Sequence, residues 1–270
     1  MRRSISRFAM AAGLICLIAA ASTSARDRST FFSWSSKTIK GSGDEVTVDR
    51  TVTGFDKIES SIGADMDITV GAEFKVTLTG DDNIVELIET RVHGHTLEID
   101  SRKNFSTRRD IKLTITLPNL SELSNGGSGT VVINKLSGDE FTLDISGSSD
   151  VTCEGTVRKL MIDVAGSGKA DFTGLSCDRV NVELAGSGDI TLAGTSKELE
   201  IEIPGSGNVD ARELKCDDVT ASINGSGNID VWADQSLDGS VNGSGDIRYW
   251  GNATDISRDV NGSGRIVHKR

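Results

Sequence analysis

The residues best placed to do chemistry in this chain are four carboxylates, Asp144, Asp163, Glu183 and Glu202, each 19 or 20 residues from the next. Each falls at an outward position of a strand-like run, and Asp259 lies in the same phase further along. Stacked at about 4.8 Å, such side chains form a ladder in which neighbours repel one another. Two carboxylates about 5 Å apart match the separation in a retaining glycosidase. A catalytic pair, however, needs two environments that push the pKa values apart, and a uniform ladder provides only one. A divalent cation bound along the ladder is the second chemistry the pattern permits. The default is a solvated acidic face, with no catalytic residue and no cofactor.

Other constellations carry less. The Gly-Ser-Gly tripeptides resemble calcium-binding glycine- and aspartate-rich repeats. The position that follows them reads Thr130, Lys169, Asp189, Asn208, Asn228, Asp246 and Arg265, and lysine or arginine there opposes a repeated cation site. His93 and His95 flank Gly94 in an expected surface turn, two ligands where zinc wants three or four. Three histidines in the chain give nucleophilic triads no support, and no lysine follows the glycines at the spacing of a phosphate loop. Arg102, Lys103, Arg108 and Arg109 make Ser101 to Asp110 a basic loop, read as solvated. Trp232 and Trp250 share a phase, and such rings can stack on sugars.

The elements that must position these residues are written in the glycines. Gly-Ser-Gly begins at Gly127, Gly166, Gly186, Gly205, Gly225, Gly243 and Gly262, with a degenerate copy at Gly147-Ser148-Ser149. The successive spacings are 20, 19, 20, 19, 20, 18 and 19 residues. Apolar residues precede the copies at every second position: Phe141, Leu143, Ile145; Leu160, Ile162, Val164; Val180, Val182, Leu184; Leu199, Ile201, Ile203. Period two means a strand with one buried face. A second strand follows each turn, at Val131, Val151, Ala170, Ile190, Val209, Ile229, Ile247 and Ile266, and Leu136, Leu175 and Leu214 mark a third corner. Helix is excluded by the paired glycines and the period. Identical copies imply one strand direction, hence parallel pairing and a right-handed crossover.

The expected fold is therefore all-β, a right-handed single-stranded parallel β-helix of about 19–20 residues per coil. A single larger coil of about 39 residues is the alternative, because residues 166 to 204 and 205 to 242 read as copies of one unit. The turn glycines, Gly127 and Gly129, Gly166 and Gly168, Gly186 and Gly188, Gly205 and Gly207, Gly225 and Gly227, Gly243 and Gly245, Gly262 and Gly264, are expected to supply positive φ and room for stacking. The serine hydroxyls between them are expected to bond along the stack.

Arg2, Arg3 and Arg7 before an apolar run from Phe8 to Ala21, then Thr23-Ser24-Ala25, form a secretory signal pattern over residues 1–25. Ile15 before Cys16 opposes a lipoprotein reading. Residues 26–43 read as a polar, flexible leader, 44–126 as irregular N-terminal coils capping the helix, and 127–270 as its regular part. Runs such as Val46–Val48, Met66–Val70 and Ile111–Leu117 read as early coils, and Asp82 to Arg91 as one short helix capped by Asp81 or Asp82. Removing the signal leaves 26 basic against 40 acidic residues, a net charge of −14. That balance opposes nucleic acid and anionic membranes as partners, and no later segment is apolar enough to span a bilayer. Cys177 and Cys216 lie two repeats apart, about 9–10 Å in such a stack, too far for a disulfide.

Thr53-Gly-Phe-Asp-Lys-Ile58, Asp67-Ile-Thr-Val-Gly71, Thr96-Leu-Glu-Ile99 and Ile115-Thr-Leu-Pro-Asn-Leu120, leading into Asn125-Gly-Gly-Ser-Gly129, resemble the autotransporter adhesin head GIN domain family, a domain of unknown function. The resemblance spans roughly residues 46–268 and implies a right-handed β-helix exported by bacteria with a role in adhesion; the expected partner is an unidentified surface glycan or protein. It brings no catalytic residues. The expectation is a non-enzymatic binding protein of the periplasm, cell surface or medium, with a structural envelope protein as the alternative and a carbohydrate-active enzyme as the minority reading.

Overall fold

The computed structural model describes residues 38–270. The expected signal segment and most of the leader lie outside these residues. The strands are β1 (Ile39–Lys40), β2 (Glu45–Arg50), β3 (Lys57–Ser60), β4 (Asp65–Val70), β5 (Lys75–Asp81), β6 (Ile88–His93), β7 (Thr96–Ser101), β8 (Phe105–Ser106), β9 (Lys112–Leu117) and β10 (Glu122–Asn125). One long bent strand per coil follows: β11 (Ser128–Ile145), β12 (Ser148–Val164), β13 (Lys169–Leu184), β14 (Asp189–Ile203), β15 (Asn208–Ile223) and β16 (Asn228–Gly243). The next coil is split into β17 (Asp246–Trp250) and β18 (Asp255–Gly262), and β19 (Arg265–His268) begins one more.

From β10 onward every strand pairs in parallel with the coil before it. Phe141 pairs with Leu160, Leu160 with Val180, and Val180 with Leu199, so the apolar columns stack as their alternation requires. These side chains join one continuous core running from Phe55 to Ile266. The coil repeats every 19–20 residues, because the Ser148 amide donates to Gly127 O at 3.1 Å and the Ser167 amide to Gly147 O at 3.2 Å. The 39-residue coil is thereby excluded.

Those hydrogen bonds also explain the tripeptide. The carbonyl of each first glycine points along the stack toward the serine amide of the next coil, and so passes where a side chain would begin. A Cβ on Gly186 would stand 1.8 Å from Gly166 O, and one on Gly227 2.1 Å from Gly207 O. Positive φ is confined, within the tripeptides, to Gly129, Gly243 and Gly262. Left-handed backbone falls mostly at the opposite corner, at Lys135 (φ 58°) and Gly174 (φ 66°) among others. Stacking clearance rather than turn conformation thus selects these glycines. The serines contribute their backbone amides, and the hydroxyls of Ser167, Ser187 and Ser206 face solvent. The degenerate copy has its own reason: buried Ser149 accepts from Asn125 Nδ2 at 2.8 Å and donates to Gly127 O at 3.3 Å.

The N-terminal third departs from a simple spiral. β3 lies between β7 and β10, and β4 between β9 and β11, all in parallel. Residues 57–70 therefore fill the second layer, while 96–117, later in sequence, form the outer one. β5 runs antiparallel to β9, β2 antiparallel to β5, and β6 antiparallel to β7. These three strands cap the outer coil's edge, which would otherwise present open hydrogen-bonding groups. Helix α1 is limited to Asp82–Val85. Ile88 to Arg91, expected to continue it, belong instead to β6, because the turn at Gly94 (φ 61°) folds that segment back on β7. Asp81 occupies the N-cap position without a side-chain cap. Ile39 and Lys40, expected in a flexible leader, pair with Phe105 and Ser106.

At the other end, among the described residues, β18 pairs in register with β16 and β19 with β17. Ile256, Arg258 and Val260 continue the inward columns of Leu237, Gly239 and Val241 but stand exposed. Arg258 donates to the Tyr249 hydroxyl and lies over its ring, 5.3 Å from the centroid. His268 stacks on the same ring at 4.7 Å.

Candidate functional site

The carboxylate column assembles in register: Asp144 opposite Asp163, Asp163 opposite Glu183, Glu183 opposite Glu202. Ser222 and Ser240 follow and separate it from Asp259. A shallow groove of about 170 Å³ runs beside it, bordered by Met161, Asn181, Glu183, Glu200 and Glu202. Met161 is 43% exposed, a rare apolar side chain on this face. Burial, then the charge of Asp144, raises the Asp163 carboxyl above its ordinary value. Burial, then Asp163 and Glu202, does the same for Glu183. Burial first, and the like charges in register second, thus hold Asp163 and Glu183 toward the protonated form. Among the described residues no three His, Cys, Asp or Glu side chains are arranged to hold a metal ion.

The remaining candidates disperse. His93 sits at the hairpin turn, its Nδ1 3.7 Å from Glu98 Oε1. Trp232 and Trp250 stand opposite each other on adjacent strands. Their faces carry cations, with Lys215 Nζ 3.0 Å from the Trp232 ring centre and Arg212 5.6 Å from that of Trp250. Cys153, Cys177 and Cys216 are free and buried. Ser196 separates Cys177 from Cys216 in the stack, as the two-repeat spacing requires. Burial pushes the thiols of Cys153 and Cys216 up to about 12 and raises that of Cys177.

The basic loop is only partly solvated. Arg102 donates to Glu86 O and lies 3.4 Å from Glu89, and Arg109 donates to Gly43 O at 3.0 Å. Arg109 also stands 3.6 Å from both Glu45 and Asp81. Asp81 is 2% exposed, a buried carboxylate that local sequence did not reveal because its partners come from distant segments.

The fold and its surfaces define a β-solenoid whose core is closed and whose polar side chains lie along extended lateral faces, a shape suited to binding along its length. Residues 54–174 and 142–253 match the family described as "Putative auto-transporter adhesin, head GIN domain", and the chain belongs to that family. Among solved structures, an adhesin-described protein from Bacteroides fragilis is 31% identical, with a TM-score of 0.68 over 86% of this chain and 100% of its own. A protein from Parabacteroides distasonis described as lipid binding is 28% identical, with a TM-score of 0.82 over 87% of this chain and 100% of its own. A third, described as an adhesin from Parabacteroides merdae, shares the fold at 22% identity and a TM-score of 0.82, over 86% of this chain and 99% of its own. Curated protein sequences include no match. Among the described residues no helix is long and apolar enough to cross a membrane.

Proposed function

We propose that this chain is an exported, non-catalytic adhesion protein that presents its acidic lateral face to a surface glycan or protein. The observation that carries this reading is the in-register column Asp144, Asp163, Glu183 and Glu202. Holding like charges one coil apart costs stability, and among the described residues no basic side chain forms an ion pair with these four. A partner with matching positive charge relieves that repulsion on binding. Membership of an adhesin family supports export and binding.

The test is a glycan and matrix-protein binding array probed with the full chain and with a variant carrying Asp144→Asn, Asp163→Asn, Glu183→Gln and Glu202→Gln. The acidic-face reading expects partners of the parent chain to bind the variant at least about tenfold more weakly. An unchanged binding profile overturns it. Protease treatment of intact cells, with loss of the protein from the surface as the expected result, tests the location.

A further inference from the structure

The strongest unassigned feature lies at the N-terminal cap, on a chain whose net charge is −11. There a pocket of about 650 Å³ opens between the Gly41-Ser42-Gly43 turn and the segment Ser106 to Arg109. Its lining carries three positive side chains, Lys40, Arg108 and Arg109, against one negative, Asp81, and contains no apolar side chain. Lys40 and Arg108 are exposed, and neither has an ion-pair partner among the described residues. Asp81 is the opposite case. It is 2% exposed, its Oδ2 accepts from the Thr107 hydroxyl at 2.7 Å, and its Oδ1 has no hydrogen bond. The nearest cation, Arg109, stays 3.6 Å from that oxygen, drawn aside by Gly43 O.

A buried carboxylate oxygen without a donor is costly unless something supplies one. Glycine at position 41 lets the carboxylate lie against the backbone, since a Cβ there would stand 1.7 Å from Asp81 Oδ2. We propose that this pocket binds an acidic saccharide unit. The ligand's carboxylate or sulfate pairs with Lys40 and Arg108, and a ring hydroxyl donates to Asp81 Oδ1 once Arg109 swings toward the anion. An acyl chain is disfavoured because the lining offers no apolar side chain and three cationic ones. A simple anion leaves Asp81 unsatisfied. The site is separate from the acidic face and opposite to it in charge, so either can fail without the other.

Isothermal titration of the full chain with a glucuronate-containing disaccharide at low ionic strength tests the proposal. Saturable one-to-one binding is expected, weakened about tenfold or more by Arg108→Ala or Lys40→Ala. Both residues are exposed, so these variants should melt as the parent does. Asp81→Asn, checked for folding by its melting curve, should reduce the preference for the disaccharide over inorganic sulfate. Absence of binding, equal binding by the Lys40→Ala/Arg108→Ala variant, or equal affinity for a neutral disaccharide or for sulfate alone each overturns the proposal.

Discussion

The carbonyl oxygen of Gly147 lies 1.8 Å from the point where a Cβ on Gly166 would stand. Neither atom can yield cheaply, because that oxygen also accepts the Ser167 amide. Gly166→Ala is therefore expected to cost about 3 kcal/mol, the upper end of what overpacking costs. Gly174→Ala is the control: φ is 66° with nothing within 4 Å, so only the left-handed strain of about 1 kcal/mol applies. Urea denaturation of the two variants distinguishes them, and equal costs would refute steric stacking as the reason for the tripeptide.

Glu183→Gln is expected to stabilise the protein at neutral pH. A carboxyl whose folded pKa is raised binds its proton more readily in the native state, so its penalty is complete above that pKa. As pH falls through the raised value toward the unfolded one, about 4.3, the penalty is progressively relieved. The variant should thus melt about 1–3 °C above the parent at pH 7, from a repulsion of a few tenths of a kcal/mol to about one. The gap should close as pH approaches 4. A gap that widens on acidification contradicts the raised pKa.

The three thiols of the described residues, Cys153, Cys177 and Cys216, are expected to be silent in the native protein. Cys153 and Cys216 are each 1% exposed, and burial keeps both protonated far above neutral pH. The thiolate is the reactive species. At pH 8 a thiol-exchange reagent should label these cysteines only at the rate of unfolding, with Cys177, 8% exposed, the first to respond. Fast stoichiometric labelling without denaturant would contradict this packing.

Arg258 occupies an inward column position on β18, which pairs in register with β16 at the C-terminal end of the stack. Charged side chains at such positions oppose edge-to-edge association. Arg258→Val removes the one charge between Ile256 and Val260 and makes that side of the strand an unbroken apolar strip, and self-association is the expected outcome. Light scattering across a concentration series would show it, and a variant as monodisperse as the parent would remove this role from Arg258.

Much of the regular solenoid is legible in the chain itself. Phe141, Leu143 and Ile145 announce a strand by alternation alone, and the recurrence of the copies announces a solenoid. The choice between a coil of 19–20 residues and one of about 39 rests on the Ser148 to Gly127 hydrogen bond. Ile84, Leu87, Ile88 and Arg91 show helical spacing, yet the hairpin with β7 overrides it after Val85. The layer order was hidden because Lys57 pairs with Glu122, 65 residues away, and no local pattern encodes that choice. The acidic column could be counted off the sequence. The cap pocket could not, since Gly41, Asp81 and Thr107 meet only after β1 and β8 pair.

The interleaving of residues 57–70 between 96–117 and 122–134 bears on how the molecule is made. A chain emerging from its N-terminus cannot wind this spiral turn by turn. Its second layer has no parallel neighbour on either side until residues 96–117 have been synthesised and laid against it. Assembly must wait for the cap, or begin downstream and be closed by it last.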